Sequence, residues 1–257
     1  DKDTGEPLSF MSANLLSAAR TGAVPGVAAR HLARKDSEVI TVLGCGQINR
    51  SCLRSILTQL PYVKKVVCFD IFEAAAQKFL EWEKEELGVD GVVELDLEAA
   101  LKDADVITVA ASRLKPLYVK DEWMKDGVTL LITGPMQTDD SYWINTKLIY
   151  DNVRLHEAYV QEAIESGDKA GYYKGVIGGP IYTLIDDGKM PPLEESVSIG
   201  EVIMGSKPGR TDEKERITFV ACGMATFDVG LGYDLYQTAL KEGIGMKLTL
   251  WDDPYQK

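Results

Sequence analysis

Apolar and polar positions fall into alternating rhythms over much of the chain. Val39–Leu43 is an apolar run that ends on Gly44-Cys45-Gly46. Ile48, Cys52, Leu53, Ile56, Leu57 and Leu60 then recur at helical spacing until Pro61, and Val66–Phe69 is a second apolar run closed by Asp70. The alternation continues with a strand over Lys65–Phe69, a helix over Glu73–Leu87, a strand over Val92–Leu95 and a helix over Leu97–Lys102. Val106–Ala110 and Val128–Thr133 read as further strands, and Asn152–Ala158 is expected to be another. Strands alternating with helices imply right-handed crossovers and a parallel sheet covered on both faces, an α/β fold of the Rossmann type.

Outside this stretch the pattern is less regular. Asp3-Thr4-Gly5 reads as a turn and Leu8–Met11 as a short strand. Ser12–Arg34 is an alanine-rich helical stretch, with Ser12 as N-cap and Pro25-Gly26 breaking it near the middle. Past Gly167, the span Gly171–Gly188 is rich in glycine and tyrosine, and Gly178-Gly179-Pro180 marks a turn or a mobile loop. Tyr172, Tyr173 and Tyr182 there could line a pocket or stand exposed. Leu193–Met204 reads as helix, Ile217–Val220 as strand, and Tyr233–Glu242 as a helix closed by Gly243.

Composition narrows the classes. At 257 residues the chain holds one large α/β domain, or one domain with a smaller partner. A net charge of −12 makes nucleic acid a poor partner, because phosphate binding wants a basic surface. No apolar run is long enough to span a membrane. Cys45, Cys52, Cys68 and Cys222 form no CxxC pair and no disulfide framework, which fits reduced thiols in a cytoplasmic protein. His31 and His156 are too few and too scattered for a metal site.

The candidate chemistry begins at Gly44-Cys45-Gly46. Gly44 allows a tight turn and Gly46 lets the backbone approach a pyrophosphate, while the N–H groups that open the helix at Gln47 and Ile48 face negative charge. Asp70 ends the next strand, where its carboxylate can accept ribose hydroxyls. The alternative is a structural turn in an α/β sheet. Asp70 would repel a ribose phosphate and no arginine follows it at Ile71 or Phe72, so the expected cofactor is NAD. The third glycine position holds Asn49, so the helix is expected to pack less closely on its strand.

Three further spots carry a signal. Ala110-Ala111-Ser112 ends a strand with small residues, which lets a nicotinamide pass close to the backbone; a plain strand-to-loop exit is the other reading. Gly223-Met224-Ala225 also follows a strand, with Asp228 one helical turn on. Arg20 stands between Ala18-Ala19 and Thr21-Gly22-Ala23, where a guanidinium either grips a carboxylate or makes a structural ion pair.

Taken together these segments resemble the ornithine cyclodeaminase/μ-crystallin family. The resemblance rests on Asp3-Thr4-Gly5 with Leu8, Leu15–Ala23 with Arg20, His31-Leu32-Ala33-Arg34 and Gly44-Cys45-Gly46. It continues through Gly200-Glu201-Val202-Ile203, Gly205–Arg210 and Gly223–Asp228. It runs over nearly all of the chain and is nearest a bacterial branch that goes under the name of a tyramine oxidase component.

The resemblance implies a Rossmann domain over residues 36–220 and part of a substrate and dimerisation domain. Residues 1–35 and 221–257 would belong to the latter. It implies Arg20 as the substrate carboxylate grip, Gly44, Gly46 and Asp70 as the cofactor grip, and Gly223 to Asp228 as the segment returning beneath the nicotinamide. A homodimer or larger assembly is implied as well. The family's N-terminal segment, with a lysine and a further arginine, is not in this sequence; a separate chain or a cleaved piece is expected to carry it. Where cyclodeaminases have Gly-x-Asp, this chain has Gly134-Pro135-Met136, leaving Asp139 or Asp140 as the nearby acids. The expected activity is an NAD(H)-dependent oxidoreductase working at the Cα–N bond of an amino or imino acid. An ornithine cyclodeaminase and a non-catalytic NAD-binding protein are the alternatives.

Overall fold

The computed structural model describes residues 1–111 and 115–249. They group into two units, Ala18–Gly223 and a smaller one of Asp1–Ser17 with Met224–Lys257. The chain begins with α1 (Asn14–Leu32), β1 (Val39–Leu43), α2 (Gln47–Leu57), β2 (Lys65–Phe69) and α3 (Glu73–Glu86). Next come β3 (Gly91–Val93), α4 (Leu97–Leu101), β4 (Val106–Val109), β5 (Leu117–Val119), β6 (Thr129–Ile132) and β7 (Met136–Thr138). Then follow α5 (Asp140–Asn145), β8 (Lys147–Tyr150), α6 (Val153–Glu165), α7 (Lys169–Lys174) and α8 (Gly179–Asp186). The last elements are β9 (Val197–Ser198), α9 (Ile199–Ile203), β10 (Ile217–Val220) and α10 (Ala225–Glu242).

Eight strands form one parallel sheet in the order β3-β2-β1-β4-β6-β10-β8-β9, and β5 pairs with β7 alongside it. Strand order runs outward in both directions from β1 and β4, which makes their carboxyl ends the switch point where such sheets leave a crevice. Both faces are covered. Leu43, Phe69, Val109, Ile132 and Val220 pack into one core, while Ile40, Val42, Cys68, Leu131 and Phe219 pack into the other. Two threonine hydroxyls buried inside these strands are satisfied: Thr41 Oγ1 donates to Ala100 O at 2.6 Å, and Thr218 Oγ1 meets Tyr142 Oη at 2.9 Å.

Helix α1 packs against α2 through small residues. A Cβ on Gly22 would lie 2.4 Å from the Ser51 carbonyl carbon, and one on Gly26 would lie 1.7 Å from Ser55 Oγ. Two glycines four residues apart on one helical face let the backbones approach closely.

In the smaller unit, Gly5 N donates to Asp1 O, closing the expected turn. Helix α10 ends on left-handed Gly243 (φ 67°), and none of its side chains is buried. Among the described residues no helix is long and apolar enough to cross a membrane.

Several local expectations give way. Residues 8–11 form no strand, and α1 starts at Asn14, beyond Ser12. Helix α1 also runs through Pro25 unbroken, the crossing at Gly22 and Gly26 holding it past the missing N–H. Asn152–Ala158 is not a strand: Asn152 Oδ1 accepts from Arg154 N at 3.1 Å and caps α6, whose buried Val153, His156 and Ala163 keep helical spacing. The Gly171–Gly188 span is mostly helical, in α7 and α8, with Tyr173 and Tyr182 inside the core. Leu193–Met204 splits into a short 3₁₀ turn, β9 and α9.

Candidate active site

The carboxyl edge of the sheet carries most of the candidates. Gly44 follows β1 at φ 91°, and a Cβ there would sit 2.9 Å from Ala110 O and from the Ala111 Cα. The turn is therefore pressed against the end of β4, and glycine is required for both conformation and space. Ala111 is buried there, and Gly134, after β6, approaches the same backbone, its Cβ position 3.1 Å from Ala110 Cα. Ser112 lies outside the described residues.

Gly46 is the N-cap of α2 and behaves differently. Its φ of −95° and ψ of −177° suit any residue, and among the described residues a Cβ would meet nothing within 4 Å. Packing among the described residues does not demand glycine at this position; an external group approaching the backbone would. Among the described residues no side chain caps α2 and no acid stands in its first turn, so the amides around Gln47 and half-buried Ile48 keep their affinity for an anion. A pyrophosphate fits that cradle.

Asp70 closes the rim. Its Oδ2 accepts from Cys45 N at 2.8 Å and its Oδ1 from Phe72 N at 3.0 Å. Each carboxylate oxygen has capacity for a further donor, so the ribose role remains compatible with this geometry. Ile71 beside it is exposed.

Asn49 makes contacts that a glycine at this position could not. Its side chain is fully buried, with Nδ2 donating to Leu43 O at 2.9 Å and Gly44 O at 2.7 Å, while Oδ1 accepts from Thr108 Oγ1 at 2.9 Å. The amide stitches α2 to the end of β1 and to β4. A sequence clue existed: Asn49 lies three and four residues before Cys52 and Leu53, on the apolar stripe of the helix.

At the end of β10, Gly223 has φ 79°, and a Cβ would come within 2.6 Å of Arg20 Nη1. The structure thus brings Arg20 and Gly223 into contact. Below them Asp151, which ends β8, accepts from Cys222 N and Gly223 N at 2.9 Å each through Oδ2. Its Oδ1 accepts from Asn152 N at 2.8 Å and meets His156 Nε2 at 3.0 Å. His156 Nδ1 in turn lies 2.6 Å from Tyr182 Oη. Burial pushes the Asp151 pKa up, but hydrogen bonds from His156 and the Gly223 and Asn152 amides leave it below the ordinary value. Neither Asp151 nor His156 was legible as a site residue, because the segment after Asp151 reads as strand.

Asp139 does not join this group. The chain leaves β6 at the carboxyl edge and returns through β7, so Asp139 lands near the amino edge, across a strand length of roughly 13 Å. There it accepts from Tyr118 Oη and, at 2.8 Å, from Asp121 N. Asp121 pairs at 2.6 Å with Arg216, the residue just before β10. The Tyr118 bond, then the Asp121 amide, hold the Asp139 carboxyl below its usual range. Asp140 pairs with Lys189, and Met136 is a core residue. Met224 and Asp228 belong to the smaller unit, where Met224 is the N-cap of α10 and Asp228 stands in its first turn.

The model of the ornithine cyclodeaminase/mu-crystallin family matches residues 1–243. The chain belongs to that family. Alanine dehydrogenase of Archaeoglobus fulgidus is 31% identical over 255 residues, 96% of this chain and 70% of that protein. Among solved structures, Delta(1)-pyrroline-2-carboxylate reductase of Thermococcus litoralis, in complex with NADH and L-proline, superposes with a TM-score of 0.81 at 25% identity, covering 96% of this chain and 72% of that one. An archaeal alanine dehydrogenase dimer with bound NAD gives 0.78 at 28% identity over 97% and 72%. These similarities support the family and not a finer branch within it. Neither they nor the fold support a separate chain carrying the family's N-terminal segment.

Proposed function

We propose that this protein is an NAD(H)-dependent oxidoreductase acting at the Cα–N bond of an amino or imino acid. The observation that carries the reading is the shared carboxyl edge. An open cradle at Gly46 and a guanidinium seated on Gly223 both lie there, so a dinucleotide and a carboxylate would be held at one crevice. Gly44, Gly46, Gln47, Ile48, Asp70, Ile71, Ala111 and Gly223 would hold the cofactor, whose nicotinamide supplies hydride exchange at Cα. Arg20 would fix the substrate carboxylate through a charged fork. Asp151 holds the Gly223 loop from below, so the guanidinium rests on a fixed surface.

Met136 in the core and Asp139 at the opposite edge leave no acid from that segment beside the crevice, which favours simple hydride exchange over ornithine cyclisation. Residues 36–220 would form the dinucleotide domain, with 1–35 and 221–257 serving substrate binding and dimerisation. A homodimer or larger assembly is proposed, supported by the dimeric archaeal alanine dehydrogenase among the structural neighbours. Free Cys45, Cys52, Cys68 and Cys222 suit a reducing compartment such as the cytoplasm.

The test is nicotinamide absorbance during incubation with L-amino acids and NAD⁺, or with cyclic imines and NADH. Substrate-dependent change, abolished in Arg20→Ala, is expected. Ammonia released from ornithine with no net change in NADH would turn the reading to a cyclodeaminase. Cofactor binding without turnover across the panel would turn it to a binding protein.

A further inference from the structure

Asn49 is a polar side chain with no exposed surface in the helix that follows the glycine turn. What it holds is specific. The Gly44 carbonyl, which it grips at 2.7 Å, and the Cys45 N–H, which Asp70 Oδ2 grips at 2.8 Å, are the two ends of one peptide group. That group is planar and turns as a unit. Side chains from two different elements thus clamp one peptide plane from opposite ends, Asn49 from α2 and Asp70 from the end of β2.

The plane needs a clamp. Gly44, at φ 91°, has no Cβ to resist rotation of the peptide that follows it. The orientation of this peptide sets where Gly46 and the amides of Gln47 and Ile48 point. The Asn49 amide is itself locked: Thr108 Oγ1 donates to its Oδ1, which leaves Nδ2 to face the two carbonyls. Thr108 is buried in β4 and registered opposite Val42 of β1, so the lock is anchored in the middle of the sheet.

The geometry points to Asn49, backed by Thr108, as a positioning residue for the dinucleotide: it fixes the Gly44–Cys45 peptide plane and thereby the cradle for the pyrophosphate. This rests on the cofactor reading given above. A buried amide that served only folding would satisfy the same carbonyls, yet its loss would leave the affinity of the folded protein for cofactor unchanged. Asp70 alone is a poorer lock, since the same carboxylate would also receive the ribose hydroxyls. Asn49 keeps the plane in place while Asp70 shares its charge.

The experiment pairs NADH titration by fluorescence with hydrogen exchange of the Cys45 amide in cofactor-free protein, well below the melting temperature. Asn49→Ala, Thr108→Val and Thr108→Ser are compared with the wild type. Asn49→Ala is expected to weaken NADH binding about tenfold or more and to speed Cys45 exchange, because an unpaired buried carbonyl frees the plane. Thr108→Val should weaken binding about threefold, and Thr108→Ser, which keeps the hydroxyl, should restore wild-type behaviour. If Asn49→Ala does not fold, the Val and Ser variants carry the comparison. Wild-type binding with unchanged affinity in the folded Asn49→Ala and Thr108→Val proteins overturns the inference alone. A wild-type protein that does not bind NADH overturns the cofactor reading and the inference together.

Discussion

Gly46→Ala separates the demands of the fold from those of the cofactor. A Cβ there meets nothing within 4 Å among the described residues, and φ −95° with ψ −177° is ordinary extended backbone. Two small terms act on the folded protein. Alanine is a poorer N-cap than glycine, while the unfolded chain loses freedom worth about 0.4–1 kcal/mol in the opposite sense. Stability should therefore move by less than about 1 kcal/mol. In the complex the same methyl would stand where the pyrophosphate lies, an overpacking that costs about 1–3 kcal/mol, or roughly 5-fold to 150-fold in affinity. Gly44→Ala is the control: its Cβ would strike Ala110 O and Ala111 Cα at 2.9 Å from a positive φ. It should cost about 3 kcal/mol of stability. The assays are chemical denaturation and NADH titration on the same preparations. Unchanged NADH affinity in a folded Gly46→Ala protein would refute the placement of the pyrophosphate at this helix end. A large loss of stability in that variant would refute the claim that protein packing leaves the position open.

Further consequences concern pH and the Arg20 neighbourhood. Glu83 is fully buried beside Cys68, and burial, helped by the charge of Asp90, raises its pKa from 4.5 to about 7 against the Cys68 hydrogen bond. Folding then takes up a proton between those values, so stability is full below pH 4.5 and falls as pH rises through 7. Glu83→Gln should match the wild type near pH 4 and exceed it by about 3 kcal/mol above neutrality; a pH-independent difference in denaturation midpoint would contradict this. Asp151 carries the opposite sign, its stabilisation present above pH 3.8 and lost as pH falls below it. Asp151→Asn, which sets an amide N–H₂ or a neutral oxygen against the Cys222 and Gly223 amides, should cost about 3 kcal/mol at neutral pH and flatten the acid limb. Gly223→Ala should lower stability by about 1–2 kcal/mol through its positive φ. It should also raise KM for the carboxylate substrate by displacing Arg20 Nη1. A KM equal to the wild type would count against Arg20 as the grip.

The β1–α2–β2 unit was legible because three local signals agreed: an apolar run, glycine turn chemistry, and a helical stripe ending at proline. Residues decided by distant partners were not. The segment after Asp151 alternates enough to resemble a strand, and only the Asn152 cap and the core contact of His156 turn it into α6. Pro25 breaks helices in isolation, but the glycines on either side meet Ser51 and Ser55, and that contact is invisible along the chain. Along the chain Asn49 reads only as a missing third glycine, because its partner Thr108 lies far along the sequence. Asp139 is close to Thr133 in sequence, whereas β7 carries it to the opposite edge of the sheet.

The crossing of α1 and α2 has a consequence for how such an enzyme diversifies. Arg20 lies two residues before Gly22, and the cradle at Gly46 opens the helix that holds Ser51 and Ser55. The two proposed grips are joined where Gly22 meets Ser51 and Gly26 meets the short Ser55 side chain, with no long side chain at that crossing to lengthen, shorten or change rotamer. On the proposed reading, alignment of carboxylate to cradle would therefore be inherited with the scaffold, leaving other residues of the crevice to set the substrate. New substrates can be accommodated without retuning the distance over which hydride must pass.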